Sequence, residues 1–205
     1  MLIKIKRKDC LNTYPIFPLR SYDKAKSEEV FSYPNVLKSY ILTLSSKSFK
    51  VHIKQLGTGL AKLTKELDFD PLLFLGDSEL AWLYQDNNYK SVKEAQQYLA
   101  DNKLGKRFNG ALLVGNEELP IFIKHLSWLT RCNAALPYIH FIDTGQNIIG
   151  NVCKYGNLHL DTLNETTDKL IKAAIKKSSF TYVKGNNCFN QFGTSSVIAG
   201  RQIVL

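Results

Sequence analysis

Apolar and polar positions change period several times along this chain, and the changes mark out its elements. Ile3 and Ile5 alternate with Lys4, Lys6 and Lys8, the period of two of a half-buried strand with a basic outer side. Pro15 and Pro18 hold residues 13–19 extended, because proline fixes φ and biases its predecessor away from the helical region. Residues 21–30 suit a short helix that Pro34 ends, and the apolar stretch 36–44 suits a buried strand. Ser45 to Ser48 then reads as a turn. Phe49, Val51 and Ile53 alternate with Lys50, His52 and Lys54, which predicts a hairpin whose second strand is again basic outside.

Gly57-Thr58-Gly59 opens a predicted helix over 60–67, and residues 72–75 make a short buried strand. The Gly76-Asp77-Ser78 turn leads into a helix at 79–84, and Ser91 with Glu94 forms a capping box for another reaching about residue 101. A strand follows at 111–114. The longest helix is expected at about 118–135. Leu119, Phe122, Ile123, Leu126 and Leu129 share one side of it, and Ile121, His125, Trp128 and Cys132 the other, the signature of a helix buried all round. Residues 138–143, 148–155 and 158–163 read as an antiparallel meander, Asn164 caps a helix over 165–177, and strands at 180–183 and 197–204 close the chain. Hairpins and helices cluster instead of alternating strictly. The expected class is α+β: antiparallel elements at both ends, a buried central helix, and one domain over 1–205 with a possible seam near 68–71.

Composition changes this picture little. At 205 residues, 44% hydrophobic and 22% charged, the chain belongs with ordinary globular proteins, not with disordered, collagen-like or coiled-coil ones. No apolar run approaches the ~18 residues of a membrane span, and charges interrupt the opening MLIKIKRK, so a cytoplasmic protein off the membrane is expected. Cys10, Cys132, Cys153 and Cys188 lie far apart, which argues against a disulfide framework.

Charge changes it more. The net charge is +9, with +9 in residues 1–65, −6 in 66–168 and +6 in 169–205, where there is no acid at all. Such blocks attract polyanions over roughly 8 Å at physiological salt. Lysine outnumbers arginine 22 to 5, which favours point-charge attraction over bidentate phosphate recognition.

Candidate chemistry is sparse. PLLFLGDSEL (71–80) resembles the first block of the GDSL/SGNH hydrolases, in which a strand delivers a Gly-Asp-Ser turn, and the resemblance makes Ser78 the matching nucleophile. The family's Gly-x-Asn-Asp block and Asp-x-x-His pair are both missing, so Ser78 has no base in the expected place. His125, Cys132, His140, Cys153 and His159 are metal-ligand types within 35 residues, but no two are spaced two to four apart, and neither a metal nor a cofactor is expected. His159 and Asp161 share a strand face and form a possible general-base pair. Gly57-Thr58-Gly59 is a possible phosphate cradle, although Lys62 stands where a dinucleotide fingerprint needs glycine. Six aromatics (Tyr14, Phe17, Tyr22, Phe31, Tyr33, Tyr40) lie among the cations of the first 40 residues, where exposed rings can stack on bases.

The leading expectation is therefore a non-enzymatic protein that binds nucleic acid or another polyanion on a lysine-rich sheet face made by Lys4, Lys6, Lys8, Lys50, His52 and Lys54. A protein-interaction module of inhibitor, immunity or adaptor type is the alternative, using the acidic middle of the chain. A small hydrolase built on Ser78 or on His159–Asp161 stands third.

Overall fold

In the computed structural model, which describes residues 2–193 and 198–203, eight strands form one antiparallel sheet. Their spatial order is β1 (Ile3–Ile5), β6 (Ala111–Val114), β5 (Leu72–Gly76), β7 (Ile139–Asp143), β8 (Ile148–Val152), β9 (Leu158–Thr162), β4 (Lys38–Thr43) and β10 (Thr181–Tyr182). A separate hairpin pairs β2 (Leu19–Asp23) with β3 (Glu28–Ser32). The helices are α1 (Arg7–Thr13), α2 (Phe49–Glu66), α3 (Lys90–Asp101), α4 (Leu119–Cys132) and α5 (Glu165–Lys177). The protein is thus α+β, and its sheet takes strands from both sides of residues 68–71. No helix among the described residues is long and apolar enough to cross a membrane.

Alternation sorts each strand between two faces. Leu72 and Phe74 of β5, with Leu112, Phe141, Val152 and Leu160 of its neighbours, join the core under α2, α3, α4 and α5. Leu73 and Leu75 point the other way, where Ile142, Ile149 and Ala111 meet Cys10 of α1 and Phe17 just beyond it. Strand β5 is therefore apolar throughout because it is covered on both sides.

Several local expectations give way to stronger patterns. Residues 49–54 form no strand. Phe49, Ile53, Leu56, Leu60 and Leu63 continue one helical stripe through α2, and the Ser48 hydroxyl accepts from Val51 N–H to cap it, so a stripe of 15 residues outweighs six residues of alternation. Gly57 and Gly59 accordingly lie inside α2. A Cβ at Gly57 would sit 2.7 Å from Pro120 O, so the glycine lets α2 and α4 touch backbone to backbone, and the phosphate cradle is not formed. Residues 21–30 make the β2–β3 hairpin instead of a helix, since Asp23 Oδ1 accepts from Ala25 and Lys26 N–H and Ser27 takes φ +54. The chain turns helical at Arg7, so Lys8 belongs to α1 and β1 keeps only three residues, with Ile3 57% exposed. No helix forms at 79–84, where Trp82 is buried and its indole N–H donates to Gly110 O. Tyr89, not Ser91, stands at the N-cap of α3. Helix α4 buries the expected apolar side, but Ile121 is 51% exposed and Trp128 half-buried, so it is not enclosed all round. Of 197–204, residues 197 and 204 lie outside the described residues, and Gln202 makes a single bridge to Asn133. The meander and the Asn164 cap of α5 form as the sequence predicts, with Thr167 N–H donating to Asn164 Oδ1.

Candidate functional site

Beyond β5, the sheet face opposite the four-helix layer turns polar. One cross-strand row runs Leu75, His140, Asn151, His159, Ile41, and the next runs Leu73, Ile142, Ile149, Asp161, Ser39. Polar side chains at inward-alternating positions mark a surface built for something other than packing. There the structure forms a pocket of about 650 Å³, lined by Phe31, Tyr33, Tyr138, His140, His159 and Cys188 among others.

The β2–β3 hairpin walls one side of it. The Phe31 and Tyr33 rings lie 6.4 and 5.9 Å from the His140 ring, and the Tyr33 hydroxyl donates to Asp161 Oδ2 at 2.6 Å. The hairpin is anchored by Arg20, whose guanidinium donates to buried Asp77 Oδ2 from Nε and Nη2 at 3.3 and 3.2 Å. Asp77 Oδ1 accepts in turn from Tyr138 N–H. Burial raises the Asp77 pKa and the Arg20 charge opposes that. Asp77 of the Gly-Asp-Ser turn is therefore a strut. Ser78 accepts a long bond from Leu80 N–H at 3.5 Å, and among the described residues no histidine is hydrogen-bonded to it, so the arrangement implied by the hydrolase resemblance is not formed.

His140 carries an unusual burden. It is 5% exposed, and among the described residues neither ring nitrogen has a hydrogen-bond partner. Burial pushes its pKa down to about 4, so it stays neutral at ordinary pH, one nitrogen a donor and the other an acceptor. At the pocket wall, such an imidazole can offer one donor and one acceptor to what enters.

Beside it, three side chains converge from three points of the chain. Cys153 follows β8, His159 lies in β9, and Cys188 comes from the loop after a short 3-10 helix at Lys184–Asn186. The hairpin turn between β8 and β9 is fixed by Cys153 N–H donating to Asn157 O, Gly156 N–H donating to Cys153 O, and a φ of +82 at Gly156 that glycine adopts freely. The two sulfurs are 3.1 Å apart, and both lie within 4.8 Å of a His159 ring nitrogen. Buried Asn157 donates Nδ2–H to Cys188 Sγ at 3.0 Å. Donors from Cys153 and Asn157 thus meet at Cys188, lowering its pKa, with His159 adding to the effect. The same shared proton, with burial, raises that of Cys153.

The other candidates are dispersed. His52 is fully buried: its Nε2–H donates to Gly156 O at 2.8 Å and its Nδ1 accepts from Gln191 Nε2, so it ties α2 to the β8–β9 turn and offers nothing to a polyanion. Lys50 and Lys54 are exposed on α2, Lys4 and Lys6 lie at the β1 edge of the sheet, and Lys8 lies on α1. The common strand face expected for the six does not exist. Lys4 Nζ donates to Lys103 O. His125 stacks on Tyr98 at 4.5 Å between α3 and α4, and Cys132 is packed in the core. Of the five metal-ligand types, His140, Cys153 and His159 come together at the pocket. Asp161 shares the face of His159 but serves Tyr33. Cys188 was missed because its partners are 29 and 35 residues away, and only the return of the C-terminal loop across the sheet brings it there. No family profile, curated protein or solved structure matches this chain.

Proposed function

We propose that this protein is an enzyme that takes a small organic molecule with an apolar or aromatic body into the sheet-face pocket and acts on it at Cys153, His159 and Cys188. The observation that carries the reading is the convergence of two thiols and an imidazole at a pocket whose His140 ring has no hydrogen-bond partner among the described residues. Phe31, Tyr33 and Tyr138 supply the apolar walls, and His140 and Asn151 supply hydrogen bonds to fix orientation. The test is alkylation of the reduced, chelator-treated protein by iodoacetamide at pH 7, followed cysteine by cysteine by mass spectrometry. Cys188 is expected to react at least about tenfold faster than Cys10 and Cys132, which are buried and pushed up to about 11. Equal rates would overturn the reading.

The polyanion reading survives in a different form, on the helices. Helices α2 and α5 pack together and expose Lys50, Lys54, Lys62, Lys65, Lys169 and Lys176, the last two within a stretch of sequence, 169–205, that holds no acid. Its test is a salt titration, described in the Discussion.

A further inference from the structure

We infer that Cys153, His159 and Cys188 form a zinc site whose fourth position opens into the pocket. The inference rests on the pocket reading above and deepens it, naming the ion through which the centre acts. Two thiolates and an imidazole are the donor set zinc takes most readily, and three protein ligands with one open position is the arrangement of catalytic zinc, not of closed structural sites.

The geometry supports the assignment. Tetrahedral coordination places sulfur and nitrogen ligand atoms roughly 3.5–3.8 Å from one another. The three atoms here all lie within 4.8 Å, and the sulfurs at 3.1 Å need only open by about 0.7 Å to accept an ion between them. Two ligands stand on one hairpin, whose turn is fixed by backbone bonds and whose Gly156 carbonyl is held by His52. The site is therefore prebuilt on rigid elements, with Cys188 as the one ligand brought by a loop. The surrounding groups fit as well. Asn157 already points an N–H at Cys188 Sγ, the kind of outer bond that orients a metal-bound thiolate. The His159 ring presents a nitrogen within 4.8 Å of both sulfurs, the third donor that the ion needs.

Among the described residues, no further histidine, cysteine or acid joins the trio, so the fourth ligand comes from the pocket. That ligand is water or a small molecule presenting an oxygen or nitrogen donor to the ion, with the idle His140 ring lining the same space. The sequence hides the site because its spacing, Cys-x5-His and a cysteine 29 residues later, matches no paired-ligand pattern.

The experiment titrates cobalt(II) chloride anaerobically into the reduced, chelator-treated full chain. One equivalent is expected to produce sulfur-to-cobalt charge-transfer bands and the intense visible bands of tetrahedral cobalt, both abolished by one equivalent of zinc. Cys188→Ser and Cys153→Ser are expected to weaken the charge-transfer bands. Asn157→Ala, which keeps all three ligands, is expected to bind about tenfold more weakly. Cys132→Ser is expected to match the parent. If a ligand variant fails to fold, the parent spectrum decides alone, since its charge-transfer intensity reports thiolate ligation directly. No thiolate-to-cobalt absorption, or unchanged uptake by Cys188→Ser, would overturn the assignment. Loss of two thiols to a Cys153–Cys188 disulfide in place of metal uptake would overturn it too. Rapid alkylation of Cys188 without cobalt uptake removes zinc and leaves the pocket reading standing, whereas slow alkylation removes the pocket reading itself.

Discussion

Replacing Gly57 by alanine tests the packing on which this architecture depends. In an unpacked helix interior, alanine is more stable than glycine by about 1 kcal/mol, so propensity alone predicts a gain. The structure predicts a loss. An added Cβ would stand 2.7 Å from Pro120 O and 2.8 Å from Pro120 Cα, and these are backbone atoms at the start of α4 that cannot swing aside. Relief requires α2 and α4 to separate along a contact that runs through the main core, and overpacking of this kind costs typically about 1–3 kcal/mol. After subtracting the propensity gain of about 1 kcal/mol, Gly57→Ala should lose up to about 2 kcal/mol. Gly59→Ala is the internal control. It lies in the same helix, but its Cβ would meet only the Phe180 ring, at 3.1–3.2 Å, and a side chain can give way. That variant should fall close to the parent or slightly above it. Urea unfolding followed by circular dichroism reads both, as midpoint shifts at constant slope. If Gly57→Ala proves more stable than the parent by the full propensity gain of about 1 kcal/mol, the close crossing of α2 and α4 is not formed.

Two further outcomes are expected. His125 and His140 are both pushed down to about 4 by burial, so the fold holds them neutral while the unfolded chain protonates them near 6.5. The folded pKa values are depressed, so this stability is fully present above pH 6.5 and is lost as pH falls toward 4, at up to about 1.4 kcal/mol per pH unit for each histidine. Urea unfolding of metal-free protein at pH 7 and pH 5 should show the drop, and a flat response between them would refute the burial of both rings. On the helix face, contacts from Lys50, Lys54, Lys169 and Lys176 to about four phosphates should give a log–log salt slope near −4 on duplex DNA, and changing all four to Gln should flatten it. Equal binding by the quadruple variant would end the polyanion reading.

The elements with the longest and most consistent patterns were legible in the sequence by themselves. Helix α4, helix α5 with its Asn164 cap, strand β5 and the β7–β9 meander all form where periodicity and turn residues place them. Alternation also put His159 and Asp161 on one face. The failures came in short stretches where two periods fit equally well. Six alternating residues at 49–54 are also the first turns of a stripe that reaches Leu63, and only packing against α4 decides between them. The same error spread to function, because the proposed cationic plane needed Lys50, His52 and Lys54 on a strand beside Lys4 and Lys6.

The candidate centre was beyond local reading for a different reason. Local sequence fixes which way a side chain points from its own strand, since the backbone period is a property of the residue and its neighbours. It does not fix what lies opposite. Whether a polar row across β7, β8 and β9 is covered, as Leu73 and Leu75 are by α1, or left as a pocket depends on where α1, the β2–β3 hairpin and the C-terminal loop come to rest. Those placements are settled by the burial of the whole core, and the meeting of Cys188 with Cys153 and His159 is one of their consequences.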